Sequence, residues 1–507
     1  MQAGSPTPEL IQALLQPCRY PDPTTQVELV ETHISWVLLA GDYAYKIKKP
    51  VTLPFLDFAT LAQRRTYCEI ELQLNRRFAP ELYLGVVAIG GTPTDPRIGG
   101  AGEPIEFAVK MRRFDEAARL DRVCARGALT PQHLSELAQS LVSFQHSAAA
   151  APVDSRFGTP GAILAPVLEN FAQLQALLHE PPWQNQLDAL LTWSRSECQR
   201  LQPQFTARKA AGRVLECHGD LHLGNLALID GRVTLFDCIE FNEDFRWIDV
   251  TSEIAFTYVD LLDHHQPGLA GWFVNEWLSR SGDFASIPLL RFYAVYRAMV
   301  RAKVAAIRYR QQGGADATEV RQYLALAAQI AAPPKPRLII THGLSGCGKT
   351  RASSRLLLDD QNAATLRLRS DVERKRLFGL APRDASASPV NGGIYQPDAN
   401  QLTYQHLQTL ARQHLDAAWS CLVDATFLKH QDRAAFQALA SQAGVEFFIL
   451  APQATPTQLR QRIRARLQRG NDASEATLAV LEQQMAHLEP LDAQESTHLL
   501  KPAARAR

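Results

Sequence analysis

The stretch His218-Gly219-Asp220-Leu221-His222-Leu223-Gly224-Asn225 decides the fold of the first half of the chain. A short predicted strand follows it, and Asp237 comes directly after that strand. This order supplies a carboxylate base and, further on, a carboxamide and a second carboxylate whose oxygens suit Mg²⁺. The pattern predicts Asp220 as the base of a phosphoryl transfer, with Asn225 and Asp237 as metal ligands. A plain polar turn would leave the metal-ligand spacing unexplained.

A second motif, Gly343-Leu344-Ser345-Gly346-Cys347-Gly348-Lys349-Thr350, decides the fold of the second half. It matches the phosphate-binding loop G-x-x-x-x-G-K-[ST] at every position and lies between a predicted strand and a predicted helix. In that setting backbone N–H groups surround the phosphates at a helix N-terminus. We predict that all eight residues bind ATP, that Lys349 reaches the β and γ oxygens, and that Thr350 also binds the metal.

The surrounding segments indicate two different architectures. Before the first motif, a small antiparallel sheet is predicted, with one helix, Leu61–Phe78, and the strands Val27–Val30, Ser35–Ala40, Tyr43–Lys48 and Glu106–Arg113. From about Thr130 onward helices dominate. After the prolines, strands alternate with helices, which predicts a parallel sheet: Leu338–Thr341, Thr365–Leu368, Cys421–Val423, Glu446–Leu450 and a fifth candidate, Thr497–Leu500.

These patterns predict a fold class and a set of boundaries. The class is a two-lobed α+β kinase-like domain followed by an α/β P-loop kinase domain with a parallel sheet. The proline cluster after Ala331 cannot continue a helix and favours an extended linker. The predicted parts are an N-lobe over 1–118, a helical C-lobe with the catalytic loop over 119–330, the linker over 331–336, a P-loop domain over 337–500 and a tail over 501–507.

The first motif resembles the aminoglycoside phosphotransferase family, whose catalytic loop reads H-G-D-x-x-x-x-N. The resemblance covers roughly residues 20–325 and implies a two-lobed kinase-like fold, ATP and magnesium. It implies the roles already given to Asp220, Asn225 and Asp237, and a bracing role for Asp249 beneath the catalytic loop. Two features depart from the resistance enzymes: the first hairpin has no G-x-G-x-x-G, and the end of the module is basic where theirs is acidic.

Kinase-like folds also use a strand lysine that contacts the ATP phosphates and pairs with a helix glutamate. Lys46 and Lys48 lie on one face of a predicted strand, and Lys49 lies on the other. We predict Lys46 as the ATP-contacting lysine, with Lys48 as the alternative, and Glu71 rather than Glu69 as its partner. Solvated surface charges are the competing interpretation.

Two residues follow the second strand of the P-loop domain in the pattern Ser-Asp-x-x-Arg. Small-molecule kinases place a carboxylate that contacts the acceptor hydroxyl at this position, and Asp371 occupies it. Arg374, one helical turn later, would face the same site and bind an anionic group of the acceptor. The pattern resembles the polynucleotide-kinase and zeta-toxin groups. A simple helix cap is the alternative for Asp371.

Two further elements complete the predicted P-loop site. Asp424 ends the third strand, where it supports magnesium through water in a Walker-B-like way or caps the next helix. An arginine-rich helix begins near Pro456, and Arg462, Arg466 and Arg469 share one of its faces. We predict a lid in which Arg466 and Arg469 contact ATP. The alternative is a solvated basic face.

Composition narrows the class of protein. At 507 residues the chain is long enough for two or three domains, and its net charge of +1 gives no field that favours nucleic acid or an anionic membrane. No apolar run approaches the roughly 20 residues of a membrane helix, and the first residues do not form a signal peptide. The eight cysteines include no C-x-x-C pair, which favours reduced thiols and a cytoplasmic location.

The whole layout resembles bacterial bifunctional proteins that join an aminoglycoside phosphotransferase-like module to a P-loop ATP-binding module of the AAA type. The resemblance implies an ATP-dependent kinase with two magnesium–ATP sites, each transferring the γ-phosphate to a hydroxyl of a small molecule. Three alternatives stay open. The second module acts on a nucleic-acid 5′-hydroxyl, which the neutral net charge disfavours, or on a nucleotide sugar; or one module is a non-catalytic, nucleotide-gated regulator.

Overall fold

The structure, a computed structural model, describes residues 7–53, 56–382, 384–388, 392–469 and 473–500. It divides into two compact units. The first contains the chain up to residue 264 together with 290–331, and the second contains 265–289 together with the chain from 332 onward. The segment 265–289, which the sequence places in the kinase-like region, is therefore part of the second unit. The predicted tail 501–507 lies outside the described residues.

The first unit begins with a sheet lobe. Its elements are α1 (Glu9–Leu14), β1 (Val27–Glu31), β2 (Ser35–Ala40), β3 (Tyr43–Lys48), β4 (Thr52–Leu53), β5 (Leu56–Asp57), α2 (Leu61–Arg76), β6 (Tyr83–Gly91), β7 (Pro96–Ile98) and β8 (Glu106–Arg112). Six of the strands form one antiparallel sheet in the order β1-β2-β3-β8-β6-β7. Tyr45 and Ile47 of β3 pack into the apolar core, so the alternating lysines of the same strand point to the opposite face.

A helical lobe completes the first unit. Its elements are α3 (Leu120–Ala125), α4 (Pro131–Ser147), α5 (Pro160–Leu177), α6 (Pro181–Arg200), α7 (Gln202–Ala210), β9 (Val214–Glu216), β10 (Leu226–Ile229), β11 (Arg232–Leu235), α8 (Glu243–Arg246), β12 (Trp247–Asp249), α9 (Val250–Asp263), and, after α10 (Pro267–Ser281) of the second unit, α11 (Ile287–Gln311) and α12 (Thr318–Ala331). The pairs β9–β12 and β10–β11 are antiparallel. The motif His218–Asn225 therefore lies between β9 and β10, the first strands of these two antiparallel pairs.

The second unit contains a parallel sheet. Besides α10, its elements are β13 (Arg337–Thr341), α13 (Lys349–Leu358), β14 (Thr365–Arg369), α14 (Ser370–Leu377), α15 (Pro397–Asp416), β15 (Ser420–Asp424), α16 (His430–Ala443), β16 (Glu446–Leu450), α17 (Pro456–Arg469), α18 (Leu478–Ala486) and α19 (Ala493–Ser496). The strand order is β14-β15-β13-β16, with all three pairings parallel. The predicted fold class is confirmed. The fifth candidate strand is wrong in extent, because Leu499 forms only an isolated bridge with Ile449.

Within the described residues, no helix is both long enough and apolar enough to span a membrane.

We expect His414 to make the second unit sensitive to acid. Its side chain is fully buried, and neither ring nitrogen has a hydrogen-bond partner among the described residues. Burial lowers its pKa from 6.5 to about 3, so below pH 6.5 the unfolded chain binds a proton that the fold excludes. We expect the wild type to lose stability as the pH falls from 6.5 toward 3, and His414→Leu to lose less over that range.

Calorimetric melting of the full chain at several pH values measures this difference. His487→Leu, at an exposed histidine of the same unit, is the matched control and should follow the wild type. Equal acid sensitivity in the wild type and His414→Leu would contradict the assignment.

Candidate active sites

Lys46 lies at the centre of a charged cluster in the first unit. Its ammonium is 2.8 Å from a carboxylate oxygen of Glu71 and also contacts Asp237. Burial lowers the pKa of Lys46, but Asp237 and Glu71 outweigh burial and hold that pKa well above its usual range. The lysine, the helix glutamate and the strand-end aspartate predicted from the sequence therefore lie together, as ATP-binding kinase sites require.

Lys48 occupies a deeper position in the same cluster. It is fully buried, lies 2.7 Å from the second oxygen of Glu71, and contacts Glu240. Burial raises the pKa of Glu71, yet the two lysines outweigh burial and hold that pKa at about 2. Lys46 thus faces Asp237 and Lys48 supports Glu71 from behind. The sequence analysis missed Glu240, although it follows Asp237 by only three residues.

The catalytic loop brings Asp220 and Asn225 into contact. The Asn225 amide nitrogen donates to the Asp220 backbone oxygen and to its carboxylate, both at 3.0 Å. These bonds leave the Asn225 amide oxygen for a cation. Burial raises the pKa of Asp220, but His222, 3.4 Å away, outweighs burial and holds that pKa below its usual range. Asp220 is therefore a carboxylate at neutral pH.

Magnesium fits this donor set. Carboxylate and carboxamide oxygens are the ligands it takes in phosphoryl-transfer sites, and Asn225 and Asp237 supply them. Asp237 has a left-handed backbone conformation, φ 62°, and its N–H donates to the hydroxyl of Tyr83 at 3.0 Å. Strained backbone of this kind is held in place by its surroundings and is common at ligand sites.

Glu253 braces the catalytic loop from α9. Its carboxylate accepts hydrogen bonds from the backbone N–H groups of His218 at 2.5 Å and Gly219 at 3.4 Å, and Arg297 donates to the Gly219 carbonyl at 3.2 Å. Gly219 has φ 90°, and a Cβ there would lie 2.7 Å from a backbone oxygen of Phe245. A glycine is therefore required at this point of the loop.

Asp249, the residue predicted to brace the loop, has a different task. It caps α9 by accepting from Thr251 N at 2.8 Å and pairs with Arg208 through both carboxylate oxygens, at 2.6 and 2.8 Å. The bonds expected of a loop brace come from Glu253, one helical turn later. The available signal was a second acidic residue, Glu253, in the first turn of the helix that Asp249 caps.

The phosphate-binding loop lies between β13 and α13 as predicted. Gly343, Gly346 and Gly348 have φ values of 135°, 86° and 104°, which favour glycine. The Lys349 ammonium donates to the carbonyl oxygens of Gly343 and Leu344, both at 2.9 Å, so it crosses the mouth of the loop. Ser345 N donates to Gln484 of α18 at 2.8 Å, which ties the loop to the end of the unit.

Asp371 and Arg374 share the first turns of α14. No side-chain cap is found at the start of this helix, whose N-cap is Arg369, so the cap interpretation of Asp371 is wrong. Arg374 is 6% exposed and donates to Ile394 O at 3.0 Å and Asn400 Oδ1 at 2.6 Å, while its guanidinium lies 5.0 Å from the ring centre of Tyr395. Among the described residues, Arg374 Nε has no hydrogen-bond acceptor. A buried cation with an unused donor suits an anionic ligand.

Asp424 ends β15, and its neighbour in the strand register is Arg369. Its carboxylate is 6% exposed and accepts a hydrogen bond from Ser353 of α13 at 3.0 Å. The alternative that it caps the next helix is wrong, because α16 begins only at His430. Thr350 lies in the first turn of α13, and Asp424 accepts its hydrogen bond from the same helix, so α13 links the two predicted magnesium ligands.

The arginine helix contacts the loop through a residue other than the two predicted. Arg462 donates to the carbonyl oxygens of Gly346 and Cys347, both at 3.2 Å. Arg466 instead donates to Ala476 O at 2.7 Å, and the side chain of Arg469 lies outside the described residues. Arg462 is therefore the arginine of this helix that contacts the loop, and the contact of Arg466 and Arg469 with ATP stays a prediction.

Comparison with known sequences finds a family match in the second half of the chain and relatives that align with both halves. The model of a family described as an AAA domain matches residues 338–491. Uncharacterised proteins of Mycobacterium bovis (Mb2027c) and Mycobacterium tuberculosis (Rv2004c) are each 30% identical over 457 residues, which is 90% of this chain and 89% of theirs. These relatives therefore span both modules.

Solved structures give weaker likenesses. A choline/ethanolamine kinase family protein from Mesorhizobium loti has a TM-score of 0.40 and 11% identity, covering 61% of this chain and 90% of that one. A gluconokinase from Sinorhizobium meliloti has a TM-score of 0.23 and 16% identity, covering 33% of this chain and 82% of that one. Scores this low carry no argument. The AAA-domain match lies in the predicted P-loop module, and the residues assembled around Lys46 have the arrangement predicted for a kinase-like module.

Proposed function

The chain belongs to the family of these two-module mycobacterial proteins, and we propose that each module transfers the γ-phosphate of ATP to a hydroxyl of a small molecule. The observation that carries the proposal is the contact of one strand lysine, Lys46, with both Glu71 and Asp237. This arrangement presents a cation to phosphate oxygens and a carboxylate to magnesium at one point.

In the first module the transfer needs one proton acceptor. The acceptor hydroxyl would donate its proton to Asp220 while its oxygen forms the bond to the γ-phosphorus and the bond to the β–γ bridging oxygen breaks, releasing ADP. Asn225 holds Asp220 in place by its two hydrogen bonds. Magnesium, when bound by Asn225 and Asp237, neutralises phosphate charge.

In the second module Asp371 is proposed to play the same part. The phosphates would lie on the loop Gly343–Thr350, with Lys349 at the β and γ oxygens and Arg462 near the loop. Burial raises the pKa of Tyr395 above its usual range, and the charge of Asp371 raises that pKa further. We expect Asp371, Arg374 and Tyr395 to line one acceptor pocket, and the unused Nε donor of the buried Arg374 favours an anionic acceptor.

The proposal is tested by incubating the full chain with ATP, magnesium and a library of small hydroxyl compounds, half of them phosphorylated or carboxylated. Mass spectrometry detects products heavier by one phosphoryl group. The expected result is two products of different chemistry, one of them from an anionic acceptor. ATP hydrolysis without any phosphorylated product, or transfer only to oligonucleotide 5′ ends, would contradict it.

Variants of the acceptor pocket separate its two residues. We expect Asp371→Asn to lower kcat of the second activity roughly 10²- to 10⁴-fold, because it removes the base. Arg374→Lys should raise KM for the acceptor about 10-fold with a smaller change in kcat, because an ammonium cannot replace the planar guanidinium fork. Steady-state kinetics with the acceptor found above measures both. An Arg374→Lys chain that changes kcat alone would contradict the binding role.

A further inference from the structure

A chain of polar contacts inside the second unit joins helix α10 to the end of β15. The carboxylate of Glu276 lies 3.9 Å from the guanidinium of Arg367 on β14. Arg367 in turn donates to two adjacent hydroxyls of α13, Ser353 at 3.2 Å and Ser354 at 2.8 Å. Ser353 then donates to a carboxylate oxygen of Asp424 at 3.0 Å. The contacts lead from a helix far away in sequence to a predicted magnesium ligand.

Arg367 is an unusual residue for its position. It lies in a strand of the sheet and is 7% exposed, and both Ser353 and Asp424 are also buried. Burial lowers the pKa of Arg367 to about 10, so the guanidinium is charged at neutral pH. A buried charge costs stability unless it is paired and hydrogen-bonded. Because burying the Arg367 guanidinium costs stability, we infer that this charge has a role at the neighbouring magnesium site.

The side chain of Asn275 fixes helix α10 against strand β14, because it forms hydrogen bonds with the backbone of that strand. The Asn275 amide donates to Thr365 O at 2.9 Å and accepts from Arg367 N at 2.6 Å, along the edge strand of the sheet. Gly268 lets the helix approach α13, because a Cβ there would lie 2.0 Å from Leu358 O. Glu276 is therefore held at a set distance from Arg367.

The direction of the Ser353 hydrogen bond follows from its three neighbours. Its hydroxyl has one proton, and both Thr350 O and Asp424 lie 3.0 Å away. Arg367 occupies a lone pair of the hydroxyl oxygen, and the carboxylate is the stronger acceptor of the two. The proton is thus directed to Asp424, and the carboxylate has a fixed orientation.

We propose that Arg367 is a positioning residue for the magnesium site of the P-loop module, acting through the Ser353 hydroxyl on Asp424, with α10 holding it in place. The inference rests on the proposed nucleotide site, in which Asp424 supports magnesium. Residues that orient a metal ligand commonly affect metal affinity 10- to 100-fold, roughly. The segment 265–289 would then be required for the chemistry of a module that begins, in sequence, near residue 337.

The test uses the full chain and binding of a non-hydrolysable ATP analogue at increasing magnesium, measured by calorimetry. The component that is lost in Lys349→Ala reports the P-loop site. Ser353→Ala and Arg367→Met should each raise the magnesium concentration for half-maximal enhancement about 10-fold, while affinity without magnesium stays at the wild-type value. Arg367→Lys, which keeps a donor, should recover part of the loss.

The adjacent serine gives a matched control. Ser354→Ala removes the other hydroxyl that accepts from Arg367 and keeps the bond from Ser353 to Asp424, so its magnesium dependence should equal that of the wild type. If Ser353→Ala and Ser354→Ala behave alike, with unchanged melting temperatures, the positioning role is wrong and the proposed function stands. If the wild-type component does not respond to magnesium at all, the role of Asp424 in the proposed function fails instead.

Discussion

Replacing Asp220 with asparagine is expected to lower phosphoryl transfer by the first module roughly 10²- to 10⁴-fold. The carboxamide has nearly the same shape as the carboxylate, so the hydrogen bond from Asn225 can persist through the remaining oxygen. The carboxamide of the variant cannot take the proton of the acceptor hydroxyl, because an amide oxygen is a very weak base. The pKa of Asp220 lies below its usual range, so the wild-type carboxyl carries no proton near neutral pH and has a vacant position for the one that the hydroxyl loses.

Initial rates with the first module's acceptor, and ATP-analogue binding by calorimetry, measure the two effects separately. Binding should stay within about twofold of the wild type, because Lys46, Glu71 and Asp237 are untouched. Asp230→Asn, in the exposed turn between β10 and β11, is the matched control and should keep full activity. A fully active Asp220→Asn chain would overturn the assignment of the base.

The sequence predicted the parts of the sites that are local in the chain. Asp220 and Asn225 stand in one motif, and the glycine loop stands in another, so spacing alone identified them. Lys46 and Glu71 were found because β3 and α2 have clear periodicity. The second lysine pair was missed, because nothing in the spacing shows that Lys48 meets Glu240, which lies 192 positions later.

Contacts between distant segments explain the other differences. Helix α10 follows the kinase motifs without a break in composition, yet Asn275 bonds to a residue 90 positions later. Periodicity predicted three arginines on one face of α17, but it could not show which of them contacts the loop, and Arg462 is the one that donates to Gly346 O. In each case the partner is set by tertiary packing, which propensity and pattern do not encode.

Replacing Lys349 with alanine is expected to lower transfer by the second module about 10²- to 10³-fold, the usual effect of removing one donor from developing phosphate charge. The ammonium already spans the loop, with hydrogen bonds to Gly343 O and Leu344 O at 2.9 Å. It would exchange these carbonyls for the β and γ oxygens of ATP without a large movement. Alanine leaves the backbone N–H groups of the loop in place but removes the only side-chain cation among its eight residues.

The informative comparison sets this variant against Asp220→Asn in assays of both products. Lys335→Ala, at an exposed lysine just before β13, is the matched control and should leave both rates unchanged. If Lys349→Ala abolishes only the second product and Asp220→Asn only the first, each module is an independent kinase. If Lys349→Ala also stops the first product, nucleotide binding in the P-loop module regulates the kinase-like one, and the proposal of two independent transfers is wrong.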